Sequence, residues 1–165
     1  MSASSRERIT GWAAVAAQFA AIGGIVLSPG DPSSVPSWVP AVGWVLVVAG
    51  ALVMVVAFGN LGSALTPTPV PIEGAGLRTS GLYARVRHPI YTGLMMLAAG
   101  LVLRSPGVWP VFWFIVLVVI LTAKAIWEEH MLADAYPTYA CYLGRTGRFV
   151  PRLRRPRPGV TPPEQ

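Results

Sequence analysis

Residues 39–60 read VPAVGWVLVVAGALVMVVAFGN and contain no Asp, Glu, Lys or Arg. An α-helix rises about 1.5 Å per residue, and the hydrocarbon core of a bilayer is about 30 Å thick, so about 20 apolar residues cross it as a helix. Similar apolar stretches recur along the chain, and we predict four helical segments at 10–28, 39–60, 89–104 and 108–129. The sequence therefore predicts an all-α polytopic membrane protein with about four transmembrane helices.

The composition of the whole chain also indicates a membrane protein. Charged residues make up 12% of the 165 residues and hydrophobic residues 53%, whereas soluble proteins carry about 25% charged residues. This balance also excludes a disordered chain. The single cysteine, Cys141, and the two histidines argue against a metal centre, and we predict none. The net charge of +6 favours an acidic partner, which for apolar helices is the anionic membrane surface rather than nucleic acid.

The last two apolar segments are joined by the short sequence LRSPG at 103–107. It predicts a tight turn and hence a C-terminal helical hairpin. Segment 89–104 is short for a span, so we expect Arg104 to extend its side chain toward the interface, or the helix to cross only part of the bilayer. The first segment is interpreted as an uncleaved helix, because its apolar run is long and no signal-peptidase site precedes Ser28.

Small residues recur every seven positions in the second segment, at Gly43, Gly50 and Ala57. They lie on one helix face, where a neighbouring backbone can approach closely. We favour packing as the role of this stripe. Gly93, on the first turns of the third segment, indicates a close approach by another helix or by a ligand.

Basic residues lie mostly at one end of the predicted helices. Arg6 and Arg8 precede the first segment, three arginines lie between the second and third, and six follow the fourth, while Arg104 lies opposite. The positive-inside rule therefore predicts cytoplasmic termini, and the composition suggests the inner membrane of a bacterium. Residues 1–150 are expected to form one domain. The Pro- and Arg-rich tail 151–165 is not expected to fold alone; we favour a role as a topology determinant, with binding of anionic lipid or of nucleic acid as alternatives.

The loop before the third segment contains the first cluster of chemically active side chains. Pro89 suits the first turn of a helix and puts His88 at the helix entrance. Tyr91 lies three residues after His88 and four after Arg87, so the three side chains can share one face. A helix N-terminus attracts anions, so a carboxylate or phosphate can dock there. The alternative is a basic cluster with tyrosines at the membrane interface.

The fourth segment ends with two adjacent carboxylates, Glu128 and Glu129. They face the negative end of the helix dipole, and carboxylates inside a membrane are usually functional. They differ by about 100° around the helix, so at most one is expected to face a given ligand. Glu128 is expected to pair with Lys124 at i, i+4. The pattern predicts either a carboxylate that binds a cationic group or a helix end that emerges into water.

These residues resemble a known family. The sequence RHPIYTG at 87–93 resembles the R-H-P-x-Y-x-G signature of the isoprenylcysteine carboxyl methyltransferase family, and Glu128 with Glu129 is similar to its paired glutamates. The ending YACYLGRTGRFVP at 139–151 resembles its closing Y-x-x-Y and F-x-P motifs. The resemblance covers about residues 60–151, and phospholipid methyltransferases share the broad pattern. It implies an integral membrane methyltransferase without a Rossmann fold, which encloses S-adenosylmethionine in a cytoplasmic pocket between the hairpin, the loop and the C-terminal segment.

The resemblance also implies which side chains meet the cofactor. The carboxylate of its amino-acid end would dock at His88 with Arg87 nearby, and a glutamate would bind its ammonium group. The sulfonium would contact Tyr83, Tyr91 or Trp127 through cation–π attraction. The cofactor-binding residues that the resemblance implies are Tyr83, Arg87, His88, Pro89, Tyr91, Gly93, Glu128 and Glu129.

Methyl transfer is an in-line displacement, so the nucleophile must be aligned with the methyl group and stripped of water. A carboxylate acceptor is already ionised and needs a cationic anchor, for which Arg145 and Arg148 are candidates. An amine or thiol acceptor needs a base, for which His130 or a glutamate such as Glu129 is a candidate. The expected catalytic set is therefore Arg145, Arg148 and Glu129, and Cys141 is expected to be a packed residue.

The resemblance favours carboxyl O-methylation of an isoprenylcysteine-like acid that reaches the site from the bilayer. N- or S-methylation of an amine lipid or a small thiol is the first alternative. The second is an NADPH-dependent membrane reductase, because sterol reductases look related in the same hairpin region, although a 2′-phosphate would call for more basic residues. The third is a non-catalytic membrane module whose basic tail binds lipid or an acidic partner.

Overall fold

Five α-helices run through residues 5–62 and 77–152, which are the residues that the computed structural model describes. The helices are α1 Ser5–Leu27, α2 Trp38–Leu61, α3 Pro89–Arg104, α4 Val108–Ala135 and α5 Tyr139–Arg145. Three of them, α1, α2 and α4, are long and apolar enough to cross a membrane, and α3 is a shorter apolar helix. The all-α polytopic prediction is confirmed, including the short third segment.

The helices differ from the predicted segments in three places. Helix α1 begins at Ser5 rather than at residue 10. Helix α4 continues to Ala135, beyond the predicted end at 129, so Glu128 and Glu129 lie within a helix rather than at its terminus. Helix α5 has no counterpart in the predicted segments. These differences arise where apolar residues give way to polar ones, because the charge-free pattern marks the span and not the full helix.

Helices α2 and α3 pack antiparallel with their backbones in close contact. A Cβ atom on Gly50 would lie 2.5 Å from the carbonyl oxygen of Gly93, and one on Gly43 would lie 2.7 Å from that of Gly100. Ala57, the third small residue of the α2 stripe, is fully buried. The stripe therefore has the packing role predicted for it, and Gly93 is approached by a neighbouring helix.

Helices α1 and α4 also pack against each other, and α3 lies against both. The core cluster draws Ala21 and Ile25 from α1, Ala98 from α3, and Leu117 and Leu121 from α4. Large apolar side chains on the outer faces are exposed, especially on α2. Such faces suit the lipid of a bilayer, because lipid tails cover apolar side chains that water would not.

The end of the bundle away from the loop that precedes α3 is closed by two turns. The amide of Asp31, between α1 and α2, donates to the carbonyl of Pro106 in the α3–α4 turn at 3.0 Å. Arg104 places its guanidinium 3.7 Å from the ring centroid of Trp44, which is a cation–π contact. A shallow groove of about 430 Å³ at this end is lined by Pro29, Gly30, Asp31, Ser34, Pro106 and Gly107.

The three-residue connection from Arg104 to Val108 confirms the predicted helical hairpin. The Pro-rich part of the loop after α2 and the tail beyond 152 lie outside the described residues.

Candidate active site

The segment after α5 lies beside the loop that enters α3. Val86 and Gly147 form a parallel β-bridge. The amide of Arg87 donates to the carbonyl of Gly147 at 2.9 Å, and the amide of His88 donates to that of Arg148 at 3.1 Å. These bonds bring together motif residues that are about 60 positions apart in the sequence.

Helix α3 begins as the sequence predicts. Pro89 occupies its first turn and His88 is the N-cap residue. The hydroxyl of Thr92 donates to the carbonyl of Phe149 at 2.7 Å, which ties the first turn of α3 to the C-terminal segment. The His88 side chain is buried, and its ring stacks on Tyr91 with centroids 5.4 Å apart and planes 3° apart. His88 and Tyr91 therefore share one face, as their spacing indicates.

A short 3-10 helix at Gly81–Ala84 places Tyr83 against the site. Gly81 has φ +60°, which favours glycine, and the Asn60 side chain accepts a hydrogen bond from the next amide, that of Leu82, at 2.9 Å. Tyr83 is buried, and its carbonyl accepts a hydrogen bond of 2.7 Å from the Tyr142 hydroxyl. Burial raises the pKa of Tyr142 to about 12, so this phenol stays a donor at neutral pH.

Glu129 is the centre of a buried ionic network. Its Oε1 accepts from Arg87 Nε at 2.9 Å and from Arg148 Nε at 3.0 Å, and its Oε2 accepts from Arg148 Nη2 at 2.7 Å. His88 Nε2 lies 3.2 Å from Oε1. Arg87 also donates to the carbonyl of Thr146 at 2.5 Å. A buried charge needs such partners to offset its desolvation, and Glu129 and Arg87 supply them to each other.

Glu128 has a different and much lighter set of contacts. The Tyr91 hydroxyl donates to its Oε2 at 3.3 Å, and His88 Nδ1 lies 3.6 Å from the same oxygen. Its side chain is 30% exposed, against 10% for Glu129. The two glutamates thus point to different surroundings, and Glu128 is the accessible one.

Lys124 forms its direct hydrogen bond with another helix. The spacing i, i+4 predicts a pair with Glu128, and the two charges do attract each other, but they are not in direct contact. Its ammonium donates to Gln18 Oε1 of α1 at 2.7 Å and lies 5.3 Å from the centroid of the Tyr91 ring. Lys124 is buried. The local helix spacing allowed the ion pair, but the packing of α1 against α4 provides the nearer acceptor.

The remaining predicted residues divide into those near the network and those away from it. Arg145 is exposed on the last turn of α5. His130 is exposed, and its Nδ1 lies 2.8 Å from the carbonyl of Ile126, one turn earlier in its own helix. Trp127 and Cys141 are half-buried. Among the residues that the structure describes, no three His, Cys, Asp or Glu side chains are grouped to hold a metal ion.

Several residues of this site were not predicted from the sequence. Asn60 and Gln18 come from helices whose sequences read as apolar spans, and Thr146 contributes a backbone carbonyl that has no side-chain signal. Tyr139 and Tyr142 belong to the closing Y-x-x-Y motif, and this motif is the only sequence signal that points to them. The Tyr139 hydroxyl is buried and has no hydrogen-bond partner in the described part of the chain.

A bundle of apolar helices with one buried cluster of ionic and aromatic side chains at its end defines an integral membrane protein with an enzyme-like site. The sequence profile of the family described as phospholipid methyltransferase matches residues 38–139. This range includes α2, α3 and α4 with both glutamates, but not Arg148 or the rest of the C-terminal segment. The chain belongs to this family, and it is therefore a membrane methyltransferase for lipid-like substrates. No curated protein matches the chain.

Proposed function

We propose that the protein transfers a methyl group from S-adenosylmethionine to a lipophilic acceptor, preferably by O-methylation of an isoprenylcysteine-like carboxylate. The observation that carries this proposal is that the paired glutamates differ in their contacts and in their exposure. Glu129 is neutralised by Arg87 and Arg148, whereas Glu128 is partly exposed and bonded to the neutral hydroxyl of Tyr91. An accessible carboxylate beside aromatic rings suits a cationic ligand.

The side chains of the site fit the cofactor. Glu128 suits its ammonium group, and the faces of Tyr91 and Tyr83 suit a positively charged sulfur. The N-terminus of α3 at His88 offers free amide donors and a positive dipole end for its carboxylate. The Tyr139 hydroxyl is a further buried polar group that has no hydrogen-bond partner among the described residues. When bound, S-adenosylmethionine supplies an electrophilic methyl group on a cationic sulfur.

Direct methyl transfer requires no covalent bond between the protein and the methyl group. An acceptor oxygen forms its bond to the methyl carbon while the carbon–sulfur bond breaks, and the electron pair of that bond stays on sulfur. A carboxylate loses no proton in this step, so the enzyme has to align it and exclude water. Arg87 and Arg148 hold Glu129 and thereby fix the loop and the C-terminal segment. Arg145 is exposed and has no described partner, so of the two predicted anchors it is the one open to an acceptor at the surface.

The alternatives are less well supported by the described contacts. A membrane reductase needs cations for the 2′-phosphate of NADPH, but Arg87 and Arg148 already bind Glu129. An amine or thiol acceptor needs a base, and His130 lies outside the cluster. We also propose that both termini are cytoplasmic, in a bacterial inner membrane, with residues 1–150 as the methyltransferase domain.

The test is cofactor binding by the detergent-solubilised protein, measured by calorimetry with S-adenosylmethionine and with NADPH. We expect binding of S-adenosylmethionine, lost in Glu128→Gln and retained in Asp134→Asn, which changes an exposed carboxylate near the end of the same helix. Binding of NADPH instead, or of neither by folded protein, would reject the proposal. Labelled methyl transfer to an S-prenylcysteine acid, compared with an amine lipid and a thiol, then identifies the acceptor. Unchanged turnover in Arg145→Met would exclude that side chain as the anchor.

A further inference from the structure

Lys124 is a buried charge that the network around Glu129 does not use. It is the only lysine in the chain and is 4% exposed in the interior of the bundle. A charged side chain within a membrane span is costly, and those that occur usually serve a function. Its presence in α4 therefore needs an explanation beyond packing.

The contacts of Lys124 include no direct ion pair. Its described hydrogen bond is to the neutral amide oxygen of Gln18 at 2.7 Å, and its ammonium lies 5.3 Å from the centroid of the Tyr91 ring. Among the described carboxylates, Glu129 is paired with arginines, and Glu128 attracts the ammonium without contacting it directly. The buried ammonium therefore has only a distant counter-charge, and Glu128 shares that charge with Tyr91 and a histidine.

The position of Lys124 relative to Glu128 indicates where in the bundle an anionic ligand would bind. It lies four residues earlier in α4, which is about 6 Å deeper in the bundle. Tyr91 connects the two side chains, since its hydroxyl bonds to Glu128 and its ring lies near Lys124. A cationic ligand favours the Glu128 side of Tyr91, and an anionic group favours the Lys124 side.

We propose that Lys124, held in place by Gln18, binds the negatively charged group of the lipophilic acceptor, a carboxylate or a phosphate, about one helical turn deeper in the bundle than Glu128. This inference rests on the proposed methyl transfer and names the charge of its substrate. Gln18 acts as a positioning residue. It lies in α1, outside the residues matched by the family, so this chain's first helix contributes to the choice of acceptor.

The test measures acceptor binding without turnover. Wild-type protein in a neutral detergent is titrated with three spin-labelled probes, and quenching of its tryptophan fluorescence is followed. The probes are stearic acid, the methyl ester of the same acid, and phosphatidic acid. We expect an anionic probe to bind more tightly than the ester. Lys124→Met should weaken its binding about tenfold or more and leave the ester unchanged, because one charge-assisted hydrogen bond is lost. Whichever anionic probe shows this loss identifies carboxylate or phosphate as the ligand.

Further variants separate binding from packing. Lys124→Arg should retain most of the preference for the anion, and Gln18→Leu should lose part of it. Thr122→Val is the matched control, because the Thr122 hydroxyl bonds only to a carbonyl of its own helix. Thermal unfolding reports whether Lys124→Met is folded, and if it is not, Lys124→Arg and Gln18→Leu decide the question. Equal loss of acid and ester binding, or no preference for the anion in wild type, would overturn the proposal.

Cofactor calorimetry on the same variants distinguishes this inference from the proposed function. In Lys124→Met, the affinity for S-adenosylmethionine should fall much less than the affinity for the anionic probe, and an equal loss of both would overturn the separate role of Lys124. If wild-type protein binds no S-adenosylmethionine, the methyl-transfer proposal fails. A preference for the acid that depends on Lys124 would then still uphold the anion site.

Discussion

Replacement of Glu129 by glutamine should destabilise the protein far more than the same replacement of its neighbour. Glu129 receives hydrogen bonds from Arg87 and from two nitrogens of Arg148, Nε and Nη2. Glutamine keeps the shape of the side chain but removes the charge, and it turns an amide donor toward a guanidinium donor. Glu128→Gln keeps an acceptor for the Tyr91 hydroxyl, so it is the matched control.

The expected size of the effect follows from burial. The Arg87 side chain is 8% exposed, and removal of one partner from a buried ion pair costs about 3–5 kcal/mol. The Arg148 side chain is 35% exposed, so its share is that of a surface pair, at most about 1 kcal/mol. We therefore expect Glu129→Gln to lower the free energy of unfolding by about 3–5 kcal/mol. Glu128→Gln should lower it by about 1 kcal/mol or less.

The assay is unfolding by increasing fractions of sodium dodecyl sulfate in mixed micelles, followed by tryptophan fluorescence. Cofactor calorimetry on the same samples should give the reverse order, with the larger loss in Glu128→Gln. Equal losses of stability, or a larger loss for Glu128→Gln, would refute the assignment of Glu129 as the structural carboxylate and Glu128 as the ligand-binding one.

Three further predictions concern the frame around the site. Gly50→Val should lower the unfolding free energy by about 1–3 kcal/mol in the same assay, because its Cβ meets the backbone of Gly93, whereas Gly59→Val should be neutral because a Cβ there meets nothing within 4 Å. Gly81→Ala should cost about 1–2 kcal/mol in thermal unfolding, since the residue has φ +60°. Burial raises the pKa of Tyr142 to about 12 from about 10, so its stabilising effect is complete below pH 10 and declines as the pH rises to 12. Tyr142→Phe should reduce this alkaline loss of stability, and an unchanged pH profile would contradict it.

The helices of the membrane-embedded part could be predicted because their signal is local. The absence of charge over 39–60 and the Pro89 and Gly107 boundaries give α2, α3 and the hairpin within a residue or so. The glycine contacts between α2 and α3 could also be anticipated, since small residues at helical spacing mark close approach. The extension of α4 to Ala135 could not, because its last turns carry polar and charged residues and lie beyond the apolar stretch that marks the span.

The sequence motifs name several of the residues that the structure brings together, but not their arrangement. Sequence spacing indicates that Glu128 and Glu129 face different ways, yet which one is neutralised depends on Arg148, which is 19 residues away. The Lys124–Gln18 bond joins positions 106 residues apart, and nothing in either local sequence announces it. Contacts of this kind depend on how whole helices pack. A sequence motif can therefore indicate which residues belong to a site, but not which residues they contact.

The β-bridge between Val86 and Gly147 has a consequence for the order in which the enzyme is made. Synthesis proceeds from the N-terminus, so Arg87 and His88 enter the membrane interface long before the carbonyls of residues 147 and 148 exist to receive their amides. Glu129, too, is made before Arg148. The network around Glu129 therefore stays incomplete until the C-terminal segment has been made. The helices that precede this segment are synthesised before the site can form.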